Sequence, residues 1–148
     1  MRFLLFFISL FCFVIIFYHS QLFSSNYGYV GVTVCKECHG QDAIGNQYKI
    51  WAASPHARAF LVLGTERAKK IAESVNIADP KSNSKCLSCH ATGGGSNALI
   101  ISEGVGCEAC HGPGEIYHKA NIHVDYNSRE NGYMRAVKHG MNPIIGIN

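Results

Sequence analysis

Charge is scarce in this sequence. Asp, Glu, Lys and Arg make up 16% of the 148 residues, and 13 basic side chains face 10 acidic ones, a formal net charge of +3. So small a surplus excludes the dense basic surface with which nucleic-acid binders hold phosphates. Strand patterning is nearly absent, Leu99-Ile100-Ile101 being the one candidate, and no βαβ alternation is present. No repeat of fixed period runs along the chain, and its length leaves no room for a multi-domain enzyme. The 47% of apolar residues in turn excludes a disordered tail. Against these absences stand 7 cysteines and 8 histidines.

The amino terminus differs from the rest. Phe3 to Tyr18 is an apolar run interrupted only by Ser9, slightly short of the ~20 residues that span a bilayer. It reads as an export signal or an uncleaved anchor. The exit, His19-Ser20-Gln21-Leu22-Phe23-Ser24-Ser25, lacks the small-x-small pattern of a cleavage site. One Arg before the run and no basic cluster after it fit an amino end inside and the remainder outside. Cys12, behind bulky Phe11, reads as an ordinary apolar residue of this run rather than a lipidation site. The expected organisation is residues 1–25 as signal or membrane anchor and residues 26–148 as one exported, periplasmic domain.

Within that domain the pattern is mainly helical, with loops dense in Gly and Asn. Ile44, Tyr48, Trp51 and Ala52 share one helical face, predicting a helix from Asp42 to Ala53. Ser54-Pro55 resembles an N-cap followed by Pro, opening a short helix that carries His56 and ends at Gly64. Thr65 is placed to cap a further helix in which Ala68, Ile71, Ala72 and Val75 form a buried stripe, while Lys69, Lys70 and Glu73 face water. A polar loop from Ala78 to Ser84 follows.

Six of the seven cysteines fall in three pentapeptides: Cys35-Lys36-Glu37-Cys38-His39, Cys86-Leu87-Ser88-Cys89-His90 and Cys107-Glu108-Ala109-Cys110-His111. The spacing suits covalent attachment of c-type haem. Each thiol adds across one porphyrin vinyl group, and the adjacent His lies under the ring as proximal iron ligand. A zinc ribbon does not require His after every second Cys. Structural disulfides usually join residues distant in sequence, and a thioredoxin-like redox pair would need a βαβ setting. Three covalent haem c groups are therefore expected, held by Cys35, Cys38, Cys86, Cys89, Cys107 and Cys110, with His39, His90 and His111 on the irons.

Further strings then carry a family resemblance. Trp51-Ala52-Ala53-Ser54-Pro55-His56-Ala57-Arg58 and Gly104-Val105-Gly106-Cys107-Glu108-Ala109-Cys110-His111-Gly112-Pro113-Gly114, with the stretches around the other two motifs, resemble the cytochrome c-554 family of multihaem cytochromes. The resemblance covers roughly residues 26–119. It implies a small multihaem fold, with short helices and long loops packed around stacked haems that relay electrons between periplasmic redox partners. It also implies a distal haem ligand at His56, and supports His118 in the same role. The family typically carries four haems, and no fourth Cys-x-x-Cys-His is present here. That leaves open a shortened relative, a fragment, or a subunit completed by a partner.

By count, His56, His118, His123 and His139 are available as opposite-face ligands, with Met134 and Met141 as thioether alternatives. A haem with two His ligands exchanges electrons but has no free position for substrate, so electron transfer is the first functional expectation. If one iron lacks a sixth ligand, a haem enzyme or sensor becomes the alternative. Glu103, Glu108 and Glu115 lie near the third motif and read equally well as surface groups. An anchored multihaem head is also the plan of a quinol dehydrogenase feeding a periplasmic reductase from the quinone pool. A haem-stacked oligomer in which His139 serves a neighbouring copy is a further option. Arg58, Lys69, Lys70 and Lys119 are candidate partners for haem propionates. Because so short a chain buries a modest core, small domains of this kind rely on cross-links or metals. Haem-free protein is therefore expected to be largely unfolded by far-ultraviolet circular dichroism; a native-like helical spectrum would contradict this.

Overall fold

The computed structural model describes residues 27–125 and 127–143. The apolar run at 3–18, with its expected anchor or signal role, lies outside the described residues. Among the described residues no helix is long and apolar enough to cross a membrane.

Seven α-helices occur among the described residues, none longer than 10 residues: α1 (Val32–His39), α2 (Gln47–Ala53), α3 (Glu66–Ser74), α4 (Ser84–His90), α5 (Glu108–His111), α6 (Ala120–His123) and α7 (Arg129–Lys138). No strand is present among the described residues, so the mainly helical expectation holds. Short polar side chains start the helices. Thr65 Oγ1 accepts the Ala68 N–H at 3.2 Å, Asn83 Oδ1 the Lys85 N–H at 3.0 Å, and Ser128 Oγ the Asn131 N–H at 3.2 Å.

Several expectations are corrected. The helix predicted over Asp42 to Ala53 is broken into a 3₁₀ turn, Asp42–Ile44, and α2, because Gly45 and Asn46 both take left-handed backbone angles (φ 96° and 43°). Ser54 does not cap the next element: it closes α2 through its N–H to Trp51 O, and its buried Oγ has no partner. The short helix expected up to Gly64 is two 3₁₀ turns, His56–Arg58 and Leu61–Gly64. Leu99-Ile100-Ile101 is no strand. Asn97 Oδ1 accepts the Leu99 N–H at 3.0 Å, turning the chain so that Leu99 is 90% exposed while Ile100 is buried. On α3 only Ala72 is buried; Ile71 and Val75 are 57% and 55% exposed.

The protein core is accordingly thin. One cluster joins Phe60, Leu63, Leu87 and Ala91, with Cys86 and Ile101 against it. A second joins Tyr117, Ala136 and Met141, with Ile122 and Val137. Met141 is thus a core side chain, not an exposed thioether, and Met134 faces solvent on α7.

Carboxylates compensate for what apolar packing lacks. Buried Glu108 accepts the Gly31 N–H at 2.7 Å, the Val30 N–H at 3.0 Å and the Gly114 N–H at 2.6 Å. Glu103 accepts the Val32 N–H at 3.0 Å and Glu115 the Gly28 N–H at 2.6 Å. Three glutamates near the third motif therefore bind the chain that leads into the first. Charge-assisted bonds of this kind are among the stronger ones.

Glu108→Ala leaves three backbone donors unpaired and is expected to lower unfolding stability by about 3 kcal/mol or more. Urea melts of the haem-loaded protein check this, with Glu115→Ala, which frees one exposed donor, expected to cost under about 1 kcal/mol. Burial pushes the Glu103 carboxyl above its ordinary range, and the Glu108 charge adds to this against the pull of the Val32 N–H. A carboxyl raised in the folded state favours folding when protonated. Wild type should therefore lose stability relative to Glu103→Gln as pH rises from about 4.3 through the folded value. Paired urea midpoints across that range measure the difference, and a constant gap would contradict it.

Candidate haem-binding sites

Each motif lies on a helix, and the helix explains the spacing. Residues three apart share a face, so Cys35 and Cys38 on α1, and Cys86 and Cys89 on α4, each present two sulfurs on one side with the His next along. In the third motif Cys107 is the N-cap residue of α5 and His111 its last residue. All six sulfurs are free thiols. Among the described residues no three His, Cys, Asp or Glu side chains converge as a metal-holding group.

The second motif opens on an apolar cavity of about 710 Å³, within the ~300–1,000 Å³ range of cofactor pockets. Ile71, Val75, Val62 and Ile77 line it opposite Cys86, Cys89 and His90. The α3 stripe is therefore real, but it faces this cavity, which is why two of its members are exposed. Arg67 and Lys85 stand at the same wall. Of the cations expected to meet propionates, Lys69 pairs instead with Glu66 at 2.7 Å, and Arg58, Lys70 and Lys119 line neither this cavity nor the next. His90 Nδ1 lies 2.7 Å from Ala59 O, which fixes the ring and leaves Nε2 for a metal.

The third motif opens on a cavity of about 340 Å³ lined by Cys107, Cys110, His111, Trp51, Ser54 and His56. His56 thus lines the same cavity as His111. The loop before the motif makes this possible. Trp51 Nε1 donates to Val105 O at 2.8 Å, the Val105 N–H donates to His56 O at 3.1 Å, and buried Thr92 Oγ1 accepts the Gly106 N–H at 2.9 Å. Gly104, at φ 74°, passes so close that a Cβ would lie 2.6 Å from His56 O. Burial, and then the nearby His39 charge, hold His111 below the usual imidazole range, which favours its neutral form.

At the first motif, His39 Nδ1 lies 3.2 Å from Gln47 Oε1 and the His39 ring stands 6.0 Å from the His123 ring, at 74° between planes. His123 is held below the usual imidazole range by burial first and then by the charges of His39 and His111. The first and third motifs are tied through Glu108, whose carboxylate accepts the Val30 and Gly31 N–H groups at the start of α1, while the Cys35 thiol donates to Gly31 O at 3.6 Å. His118 is exposed with Nδ1 2.8 Å from Gly114 O, and half-buried His139 ends α7; neither lines either cavity. The roles of Arg67, Lys85 and the glutamate staples were missed by sequence reasoning. For Arg67 and Lys85 the available signal was position, each lying on a helix that bears cavity residues.

The donor set fits c-type haem. Paired free thiols, imidazoles with one nitrogen already oriented, apolar walls of cofactor size and the partnerless buried Ser54 Oγ and His123 Nδ1 are all at or beside the motifs.

Comparison with known proteins agrees. The family described as cytochrome c554 and c-prime matches residues 34–112, which contain all three motifs. Cytochrome c-554 of Nitrosomonas europaea is 30% identical over 107 residues, covering 66% of this chain. The match takes in 43% of that relative, so this chain spans less than half of the protein it resembles. No solved structure matches. On the family match over more than half its length, the chain belongs to the cytochrome c554 and c-prime family.

Proposed function

We propose that this protein is an exported electron carrier that relays electrons among three covalently attached c-type haems. The observation that carries the reading is the convergence of the motifs. Glu108, between the cysteines of the third motif, accepts the Val30 and Gly31 N–H groups at the start of α1, so cofactors on α1 and α5 would lie near one another. Bound haem supplies a one-electron iron couple. The chain supplies attachment through Cys35, Cys38, Cys86, Cys89, Cys107 and Cys110, and proximal ligation through His39, His90 and His111. Gln47 and Ala59 orient two of those imidazoles, and Arg67 and Lys85 answer the propionate charge at the second site. His56 is the opposite-face ligand of the third site. The partners are periplasmic redox proteins. A form retaining the 3–18 run would be held at the inner membrane within reach of the quinone pool.

One observation favours a second reading beside the first. No imidazole other than His90, and no methionine, is among the residues lining the second cavity. That position is thus open to a small neutral ligand such as carbon monoxide or nitric oxide, against apolar walls. Relay through the first and third sites and ligand capture at the second are compatible in one molecule.

Protein matured in a host that assembles c-type haem is expected to carry three haems by intact mass and pyridine haemochrome. Its reduced form should take up one carbon monoxide per chain, rising to two in His56→Ala. A colourless protein, or one of apoprotein mass, would overturn the electron-carrier reading; no uptake in wild type would overturn the open second site alone.

A further inference from the structure

The α6–α7 hairpin carries a ligand and the means to aim it. We infer that His123 completes the coordination of the first-motif haem opposite His39, and that Arg135 and Asp125 are the positioning residues that hold it there. The inference rests on the haem-carrier reading above and adds to it the assignment of this pair and its support.

Four observations converge on His123. Its ring stands 6.0 Å from that of His39, which leaves room for one metal with a bond of roughly 2 Å to each imidazole. Its Nδ1 is buried without a hydrogen-bond partner, a state that costs stability and is relieved by a Lewis acid. It is not engaged at either other site: His56 serves the third cavity, and His123 lines neither cavity. Buried Tyr117 packs its ring 6.2 Å away at a 37° tilt, and donates its own hydroxyl to Gly112 O at 2.8 Å.

The backbone around His123 is then clamped. Arg135, on α7, donates to Asp125 Oδ2 at 2.9 Å, to Ile122 O at 3.3 Å and to Val124 O at 3.0 Å, gripping both neighbours of His123 in sequence. Asp125 Oδ1 accepts the Asn127 and Ser128 N–H groups at 2.9 and 3.0 Å, which fixes the turn into α7. Gly132 lets α7 lie against this turn, since a Cβ there would come within 2.7 Å of His123 O. An exposed ion pair alone contributes little to stability. Three donors spent on two carbonyls and a carboxylate around one imidazole are better explained by the need to place that imidazole. Lysine, a point charge, cannot reproduce the fork.

The test is electron paramagnetic resonance and visible absorption on oxidised, haem-loaded protein, with haem counted by pyridine haemochrome. The near-perpendicular ring planes predict a strongly anisotropic low-spin signal from the first haem. His123→Ala should keep all three haems, lose that signal, and show one new high-spin haem that added imidazole returns to low spin. Arg135→Ala should broaden or partly convert the same signal, and Arg135→Lys should not restore it. Lys69→Ala, which breaks an exposed pair on α3, should leave the spectrum unchanged. If His123→Ala yields too little protein, His123→Met should show a sulfur-to-iron charge-transfer band at one haem. An unchanged low-spin spectrum in His123→Ala with haem content intact, or a methionine variant lacking that band, would overturn the assignment. An unchanged Arg135→Ala spectrum would overturn the clamp. Loss of haem from the wild-type protein would instead overturn the carrier reading on which the assignment rests.

Discussion

The constraint on which the rest of this structure depends is a shortage of protein to bury protein. Two small apolar clusters account for most of the buried side chains, while Ile71, Val75, Val62 and Ile50 stand with large fractions of their surface uncovered on cavity walls. In a self-sufficient domain such residues would meet one another, because each fully buried aliphatic side chain is worth about 1.5–3 kcal/mol. Here they meet the space beside a Cys-x-x-Cys-His helix. A flat apolar group tied by two sulfurs and an iron bond is the natural filling. The short helices and long connections then make sense, since they need only frame the cofactors rather than pack on each other.

What the chain cannot gain from a core it recovers through charge-assisted hydrogen bonds placed where segments cross. Glu108 sits between the two cysteines of the third motif, yet its carboxylate serves the backbone that enters the first motif. Glu103 and Glu115 do the same on either side. These bonds tie the chain at the start of α1 to the segments around α5. The acidic side chains are therefore spent on bringing two Cys-x-x-Cys-His motifs together.

The three sites are not equivalent. The first and third each have a second imidazole brought to them, one by the clamped hairpin and one by the Gly104–Gly106 loop. The second has a larger, apolar cavity with His90 as its only imidazole.

The three Cys-x-x-Cys-His motifs, the helical class and the Thr65 cap were legible from residue types and spacing, because thioether attachment and helix capping are local chemistry. The α3 stripe was legible as apolar but not in its destination: periodicity reports that a face avoids water, not whether a side chain or a cofactor covers it. The break at Gly45 and Asn46, the turn at Leu99 and the burial of Met141 depended on backbone angles and partners far along the chain. The glutamates were the hardest to place, since a carboxylate within a motif has the same sequence appearance whether it faces solvent or accepts two amides from 77 and 78 residues away. The sequence by itself determined where the three Cys-x-x-Cys-His motifs stand, because covalent attachment of this kind requires fixed neighbours in the chain. Only the tertiary structure decided which imidazole faces which motif, because ligand pairing is set by how loops cross, and crossing is settled by long-range hydrogen bonds.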